Sequence, residues 1–101
     1  MFVNVALNIP SEKTFTYEVP ADLQNEIEIG KRVFVPFGRR KRTGFIVGIN
    51  HSCDLKNIRP VNEVLDEEPL FNENDLNFYQ WIANYFIYPL GKTLAELIPA
   101  G

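Results

Sequence analysis

Cysteine and histidine occur once each in this sequence of 101 residues, as Cys53 and His51. A single cysteine makes no internal disulfide, which agrees with a reducing compartment. The run His51-Ser52-Cys53 offers at most two of the usual four soft ligands of a zinc site, so it reads as loop or strand-end residues. No apolar run approaches the roughly 18 to 20 residues needed to cross a bilayer. Met1-Phe2-Val3-Asn4 has neither the basic start nor the apolar block of a signal peptide. A soluble, cytoplasmic protein is expected. The sequence also lacks a Gly-x-x-x-x-Gly-Lys-Ser/Thr loop, a Ser/His/Asp or Cys/His set, and a paired-His metal motif. Asp66-Glu67-Glu68 sets carboxylates side by side, but neighbours on an extended chain point to opposite sides, so the run reads as a solvated turn. These absences argue against catalysis, and no cofactor is expected within this chain.

Apolar material is ample for one core: 46% of residues are hydrophobic and 13% aromatic. A single domain spanning residues 1–101 is expected, burying roughly 60 to 70% of its unfolded surface. Repeats and low-complexity tracts are absent. Net charge is −3, yet the signs are separated along the chain. Six of the ten Lys and Arg residues lie between Lys31 and Arg42 with no acid among them, while residues 60–101 carry seven acids against Lys92 alone. Such a dipolar chain presents one cationic face to a polyanion, and its acidic remainder keeps nonspecific affinity low.

Hydrophobic periodicity places the elements. Phe2, Val3, Val5, Leu7 and Ile9 predict a first strand stopped by Pro10. Thr14 to Val19 alternates in β-rich residue types and predicts a second, closed by Pro20. Phe15, Tyr17 and Val19 share one face, so Phe15 either joins the core or stands at the rim with its ring open to a ligand. Ala21 to Ile29 is a polar connection, and Gly30 turns the chain into a basic hairpin. There Val33, Val35 and Phe37, then Phe45, Val47 and Ile49, face inward, and the tip carries Gly38, Arg39, Arg40, Lys41 and Arg42. Asn50 to Asn57 is a loop; Ile58, Val61, Val64 and Leu65 mark a short last strand.

After Pro69 the period becomes helical. Leu76, Tyr79, Ile82, Ala83 and Phe86 recur at helix spacing, and Phe78, Trp81 and Tyr85 widen the stripe. Asn72 with Asp75 caps this helix, and Pro89 ends it near Tyr88. Its aromatics form either a base-stacking platform or a lid over the strands; the width of the stripe favours the lid and places Trp81 in the core. A second capping pattern, Thr93-x-x-Glu96, starts a short helix through Leu94, Leu97 and Ile98 that Pro99 stops. The fold class is α+β, mainly β: a small antiparallel β-barrel of about five strands packed against one or two C-terminal helices. The ending Pro99-Ala100-Gly101 has no polar tail and looks like a cut at a domain boundary, so an excised N-terminal piece of a longer protein is expected.

Arg39, Arg40, Lys41 and Arg42 at the tip suit backbone phosphates, with affinity that falls as salt rises. Such contacts carry no base information. Charged tips are commonly plain solvated surface, and charge alone does not decide between the two.

Five blocks decide more. Thr14-Phe15-x-Tyr17 with Val19-Pro20; Gly30-x-Arg32-Val33-x-Val35-Pro36-Phe37-Gly38-Arg39-Arg40-Lys41-x-x-Gly44; Ile58-Arg59-Pro60-Val61-x-Glu63-Val64-Leu65-Asp66-Glu67-Glu68-Pro69; Trp81-Ile82-Ala83-x-Tyr85; and Pro89-x-Gly91 with the closing Leu97-Ile98-Pro99 together resemble the N-terminal 3′ DNA-binding domain of the bacterial primosomal replication-restart helicase family PriA, or primosomal protein N′. The resemblance implies capture of the free 3′ end of the nascent leading strand at a stalled fork. It also implies a pocket built by Phe15, Thr16, Gly38 and Arg59, where Thr16 stands in place of a frequent Asp and Arg59 in place of a frequent Lys. The implied partners are single-stranded or forked DNA with a free 3′ end, the helicase body and other primosome proteins, and no membrane. The ATP-dependent 3′-5′ helicase activity of the implied parent, with its ATP, Mg and Zn, lies beyond this chain. Two other readings of the residues stay open: a protein-interaction module whose acidic half docks onto a partner, and a general single-strand nucleic-acid barrel that prefers RNA through its 2′-hydroxyl.

Overall fold

The computed structural model describes residues 1–98. The expected stop at Pro99 and the chain end Pro99-Ala100-Gly101 lie outside the described residues.

Five strands form one antiparallel sheet: β1 (Phe2–Leu7), β2 (Phe15–Glu18), β3 (Arg32–Phe37), β4 (Arg40–Asn50) and β5 (Glu63–Val64), in the order β2-β1-β4-β3-β5. β1 stops short of Ile9 because tight turns take the next donors: Ile9 N donates to Leu7 O and Ser11 N to Ile9 O, both at 2.8 Å. The polar connection after Pro20 coils into a 3-10 helix over Ala21–Glu26.

The sheet is not a closed barrel. Its open edges, β2 and β5, are linked by residues 59–65 rather than by a ladder. Glu18 N donates to Arg59 O (3.0 Å) and Val61 N to Glu18 O (2.9 Å); the chain then crosses to β3, where Asn62 N reaches Phe34 O and Leu65 N reaches Arg32 O, both at 2.9 Å. The parallel pairing with β2 amounts to one bridge, Glu18 with Pro60. Pro60 has no N–H to extend it.

Two cores flank the sheet. Val3, Val5, Leu7, Val33, Val35 and Ile46 fill the concave side, while Ala6, Phe45, Phe71, Ala83, Leu90 and Leu94 fill the side under the helices. Simple alternation along β4 mistakes its inward residues. Ile46, fully buried, is the concave-side residue; Phe45 and Val47 meet the helices, and Ile49 is 36% exposed. The hairpin register sets this: Gly44, not Phe45, stands opposite Val33, and beyond it a bulge, where Asn4 pairs with Gly48 but Val5 with Ile46, leaves Val47 as the extra residue and resets the parity for Ile49.

α1 (Glu73–Phe86) starts as expected, in a capping box in which Asp75 N donates to Asn72 Oδ1 (2.8 Å) and Asn72 N to Asp75 Oδ2 (3.2 Å). It ends at Phe86, ahead of Tyr88, with Ile87 left-handed at φ 52°. The aromatic lid is overturned. Leu76, Tyr79 and Ala83 pack toward Phe71, whereas Trp81 is 61% and Tyr85 68% exposed, and Phe78 and Phe86 are exposed with them. At 3.6 residues per turn, Phe78, Trp81 and Tyr85 lie roughly opposite the Leu76-Tyr79-Ala83 stripe, so one helix face cannot bury both. α2 (Leu90–Leu97) begins directly after Pro89, four residues before the position the capping pattern indicates. Thr93 is inside it and its hydroxyl donates to Pro89 O (3.0 Å), bonding back along the helix instead of capping it. Gly91 lets α2 lie against β1, since a Cβ there would overlap the Leu7 carbonyl. Among the described residues no helix is long and apolar enough to cross a membrane.

Candidate nucleic-acid interface

The basic hairpin keeps fewer free cations than its sequence advertises. Lys31 is buried, its Nζ donating to Glu26 O (2.9 Å) and lying 3.9 Å from Glu28. Arg32 grips Asp66 with both arms, Nη2 to Oδ1 at 2.8 Å and Nε to Oδ2 at 3.1 Å, and its backbone N–H donates to Oδ2 at 2.7 Å. That grip holds the Asp66 carboxyl below its ordinary range despite burial, which acts the other way, and it raises the Arg32 guanidinium above its own. Asp66 is therefore a structural ion-pair partner, not the solvated turn residue its neighbours suggest. Arg39, Arg40, Lys41 and Arg42 remain exposed at the tip.

Strand geometry sorts these cations. Phe37 pairs with Arg40, so Gly38 and Arg39 form a two-residue turn. Gly38 has φ +61° and Arg39 is not among the residues of positive φ. This is the II′ hairpin turn, which takes glycine at its first central position. Arg40 and Arg42 stand opposite Phe37 and Val35 on the concave side, whereas Lys41 stands opposite Pro36 on the convex side. The Arg42 guanidinium lies over the Phe37 ring, 5.8 Å from its centroid.

On the concave side, Phe15, Thr16, Gly38 and Arg59 meet at a depression of about 340 Å3 with no acidic side chain in its lining. Phe15 is half-buried and meets Phe37 edge-on, ring centroids 5.2 Å apart at 78°. Its ring is thus at the rim, backed by a second ring. Arg59 Nη1 donates to Gly38 O at 2.7 Å, closing one side of the depression. Below it, the Tyr17 hydroxyl donates to Pro36 O at 2.7 Å; burial raises the Tyr17 phenol above its usual pKa, partly offset by the Arg59 charge. A Cβ on Gly38 would meet nothing within 4 Å, so that side of the turn is open space.

Thr16 contributes differently from Phe15. Successive strand side chains leave opposite faces, and the Thr16 hydroxyl donates across the sheet to Asn4 Oδ1 (3.2 Å). The N–H and C=O of Glu18 point off the β2 edge to residues 59–61. Two residues back along the strand, those of Thr16 point the same way, toward the depression.

The loop residues Leu55 and Asn57 also line the depression, and sequence reasoning missed them. Leu55 is an exposed apolar residue and Asn57 a left-handed one at φ 61°. Asparagine's tolerance of that conformation was the one usable signal.

Residues 4–99 match the family described as the 3′ DNA-binding domain (3′BD) of PriA. The chain is 34% identical over 99 residues to the replication restart protein PriA of Haemophilus influenzae, covering 96% of this chain and 13% of that protein. It is 31% identical over 91 residues to PriA of Bacillus subtilis, covering 88% and 11%, and 29% identical over 105 residues to PriA of Treponema pallidum, covering 98% and 16%. It therefore spans less than a fifth of the length of these relatives. The matched range holds all of the sheet but Phe2 and Val3 of β1, both helices and the depression at the β2 edge, and the chain belongs to the PriA 3′ DNA-binding domain family.

Proposed function

We propose that this chain is a noncatalytic module that captures the 3′ end of a DNA strand in the depression between β2 and the hairpin turn. The observation that carries the reading is the meeting of Phe15, Gly38, Arg59 and the open Thr16 edge in one acid-free depression. A terminal base stacks on Phe15, an interaction worth about 1 to 3 kcal/mol for any base. Arg59, held by the Gly38 carbonyl, keeps further N–H donors for the last phosphate. Thr16 commits its hydroxyl to Asn4 on the other face of the strand, and its backbone edge is what meets the terminal sugar. The loop carrying Leu55 and Asn57 is the stop beyond the 3′-hydroxyl. Arg39, Arg40, Lys41 and Arg42 supply phosphate contacts without reading sequence.

In this reading the setting is replication restart, the name its relatives carry. The end captured is that of the nascent leading strand at a stalled fork. The parent protein is an ATP-dependent 3′-5′ DNA helicase that works with other primosome proteins, and ATP, Mg and Zn belong to it rather than to this domain. The test is a titration of one short oligonucleotide bearing a 3′-hydroxyl against its 3′-phosphorylated twin. End capture requires the phosphorylated strand to bind more weakly by about tenfold or more, because an unpaired polar partner costs roughly 1 to 3 kcal/mol; equal affinities refute it.

The exposed Phe78, Trp81 and Tyr85 on α1 favour a second role for the same domain, docking onto a protein partner such as the helicase body. A shift in Trp81 fluorescence on adding that body in trans, without DNA, is the outcome this role requires.

A further inference from the structure

The convex side of the basic hairpin carries its own groove. It measures about 510 Å3, within the roughly 300 to 1,000 Å3 range of pockets that take small ligands. On the sheet's convex side the helical layer borders the groove at Ala95 and Ile98, and among the described residues none covers the surface between these and the hairpin tip. Phe34, Lys41 and Thr43 line that gap. Phe34 pairs with Thr43 and Pro36 with Lys41, so all three side chains leave the same face, away from Phe37 and the 3′-end depression.

Three features suit this groove to a nucleic-acid strand. Phe34 is half-buried yet belongs to neither core cluster, and among the described residues it pairs with no other ring. Lys41 brings positive charge and Thr43 and Asn8 hydrogen-bonding groups, with no carboxylate side chain in the lining; the Arg42 guanidinium is turned to the other face, over Phe37. Arg32, at the base of the groove, is neutralised by Asp66. Glu63, across from Phe34 on β5, is an acid on this face not neutralised by Arg32, and it directs a polyanion to the β4 side, along Lys41 and Thr43.

We infer that the convex groove holds a second DNA strand, with phosphates on Lys41 and Thr43 and a base against Phe34, so that the hairpin stands between two strands. This rests on the DNA-binding reading above but not on end capture. A layer packed on one face of a sheet lies about 10 Å from it, so strands on its two faces are held roughly 20 Å apart, which suits the point where a fork's arms diverge.

The test compares two probes at about 150 mM salt: a trinucleotide with a 3′-hydroxyl, and a fork bearing the same 3′ end plus a second single-stranded arm. Thr43→Glu, at an exposed position, and Phe34→Ala should each weaken fork binding by about fivefold or more while changing trinucleotide binding less than about twofold. Unchanged fork affinity in both variants overturns the second site, and so does a parallel loss on both probes. Phe15→Ala separates the two claims: if it leaves the trinucleotide unaffected, end capture fails while the fork measurements still score the groove.

Discussion

Arg59 Nη1 donates to the Gly38 carbonyl across 2.7 Å, tying the turn of the basic hairpin to a residue 21 positions further along the chain. The bond is exposed, so it contributes little to folding and more to holding a guanidinium over the depression. Its geometry also couples the two residues: moving the turn moves the cation.

Arg59→Ala should therefore weaken binding of a short 3′-hydroxyl oligonucleotide by about tenfold, in the range of one charge-assisted hydrogen bond, while the unfolding midpoint barely moves. Arg59→Lys should recover part of the loss, since it keeps the charge but not the planar fork. Fluorescence anisotropy with a labelled oligonucleotide, alongside thermal unfolding, checks both.

Phe15 and Arg40 should separate by salt. Removing the Phe15 ring takes away stacking, so Phe15→Ala lowers affinity by a factor of about 5 to 100 at every salt concentration. Arg40→Ala removes a phosphate contact and should reduce the slope of log affinity against log salt by about one. A salt titration of both variants is the measurement.

Asp66 ties residues 59–65 to the base of the hairpin through Arg32, and its side chain is only 9% exposed. Its carboxyl is held below its ordinary pKa by the hydrogen bonds from Arg32. The stabilisation is then complete above the unfolded carboxyl's value of about 3.9 and is lost as pH falls through the lower folded value. Asp66→Asn should cost about 2 kcal/mol at pH 7. The gap to the wild type should shrink once pH drops below about 4. Urea unfolding across a pH series tests this.

Trp81 is the single tryptophan of the chain and is mostly exposed. Its emission should be solvent-like and quenched freely by iodide, and Trp81→Ala should change stability by no more than about 0.5 kcal/mol. A blue-shifted, protected emission from the isolated domain would contradict the orientation of α1.

What the sequence made legible were features with local causes. The hairpin with Gly38 at its tip follows from two alternating runs around it, the capping box from Asn72 and Asp75, and the alternation in β2 and β3 from one buried face. Features set by distant partners were hidden. The bulge at Val47 resets the parity of β4 for Ile49, and only its pairing with β1 reveals it. Trp81 and Tyr85 read as core because a wide apolar stripe does not say how much of itself a neighbour can cover. Lys31 and Arg32 read as part of a free basic run, although Glu26 and Asp66 take them up. The site residues Phe15, Thr16, Gly38 and Arg59 entered through family resemblance, and their meeting at one depression needed the fold; Leu55 and Asn57 entered only with it.

The most direct measurement is a crystal structure of the domain with a dinucleotide. The account predicts the terminal base against Phe15, the last sugar at the Thr16 edge within hydrogen-bonding distance, and the phosphate at Arg59. A strand running through the depression with its backbone continuing past Thr16, or a terminal sugar seated away from Phe15, would contradict it.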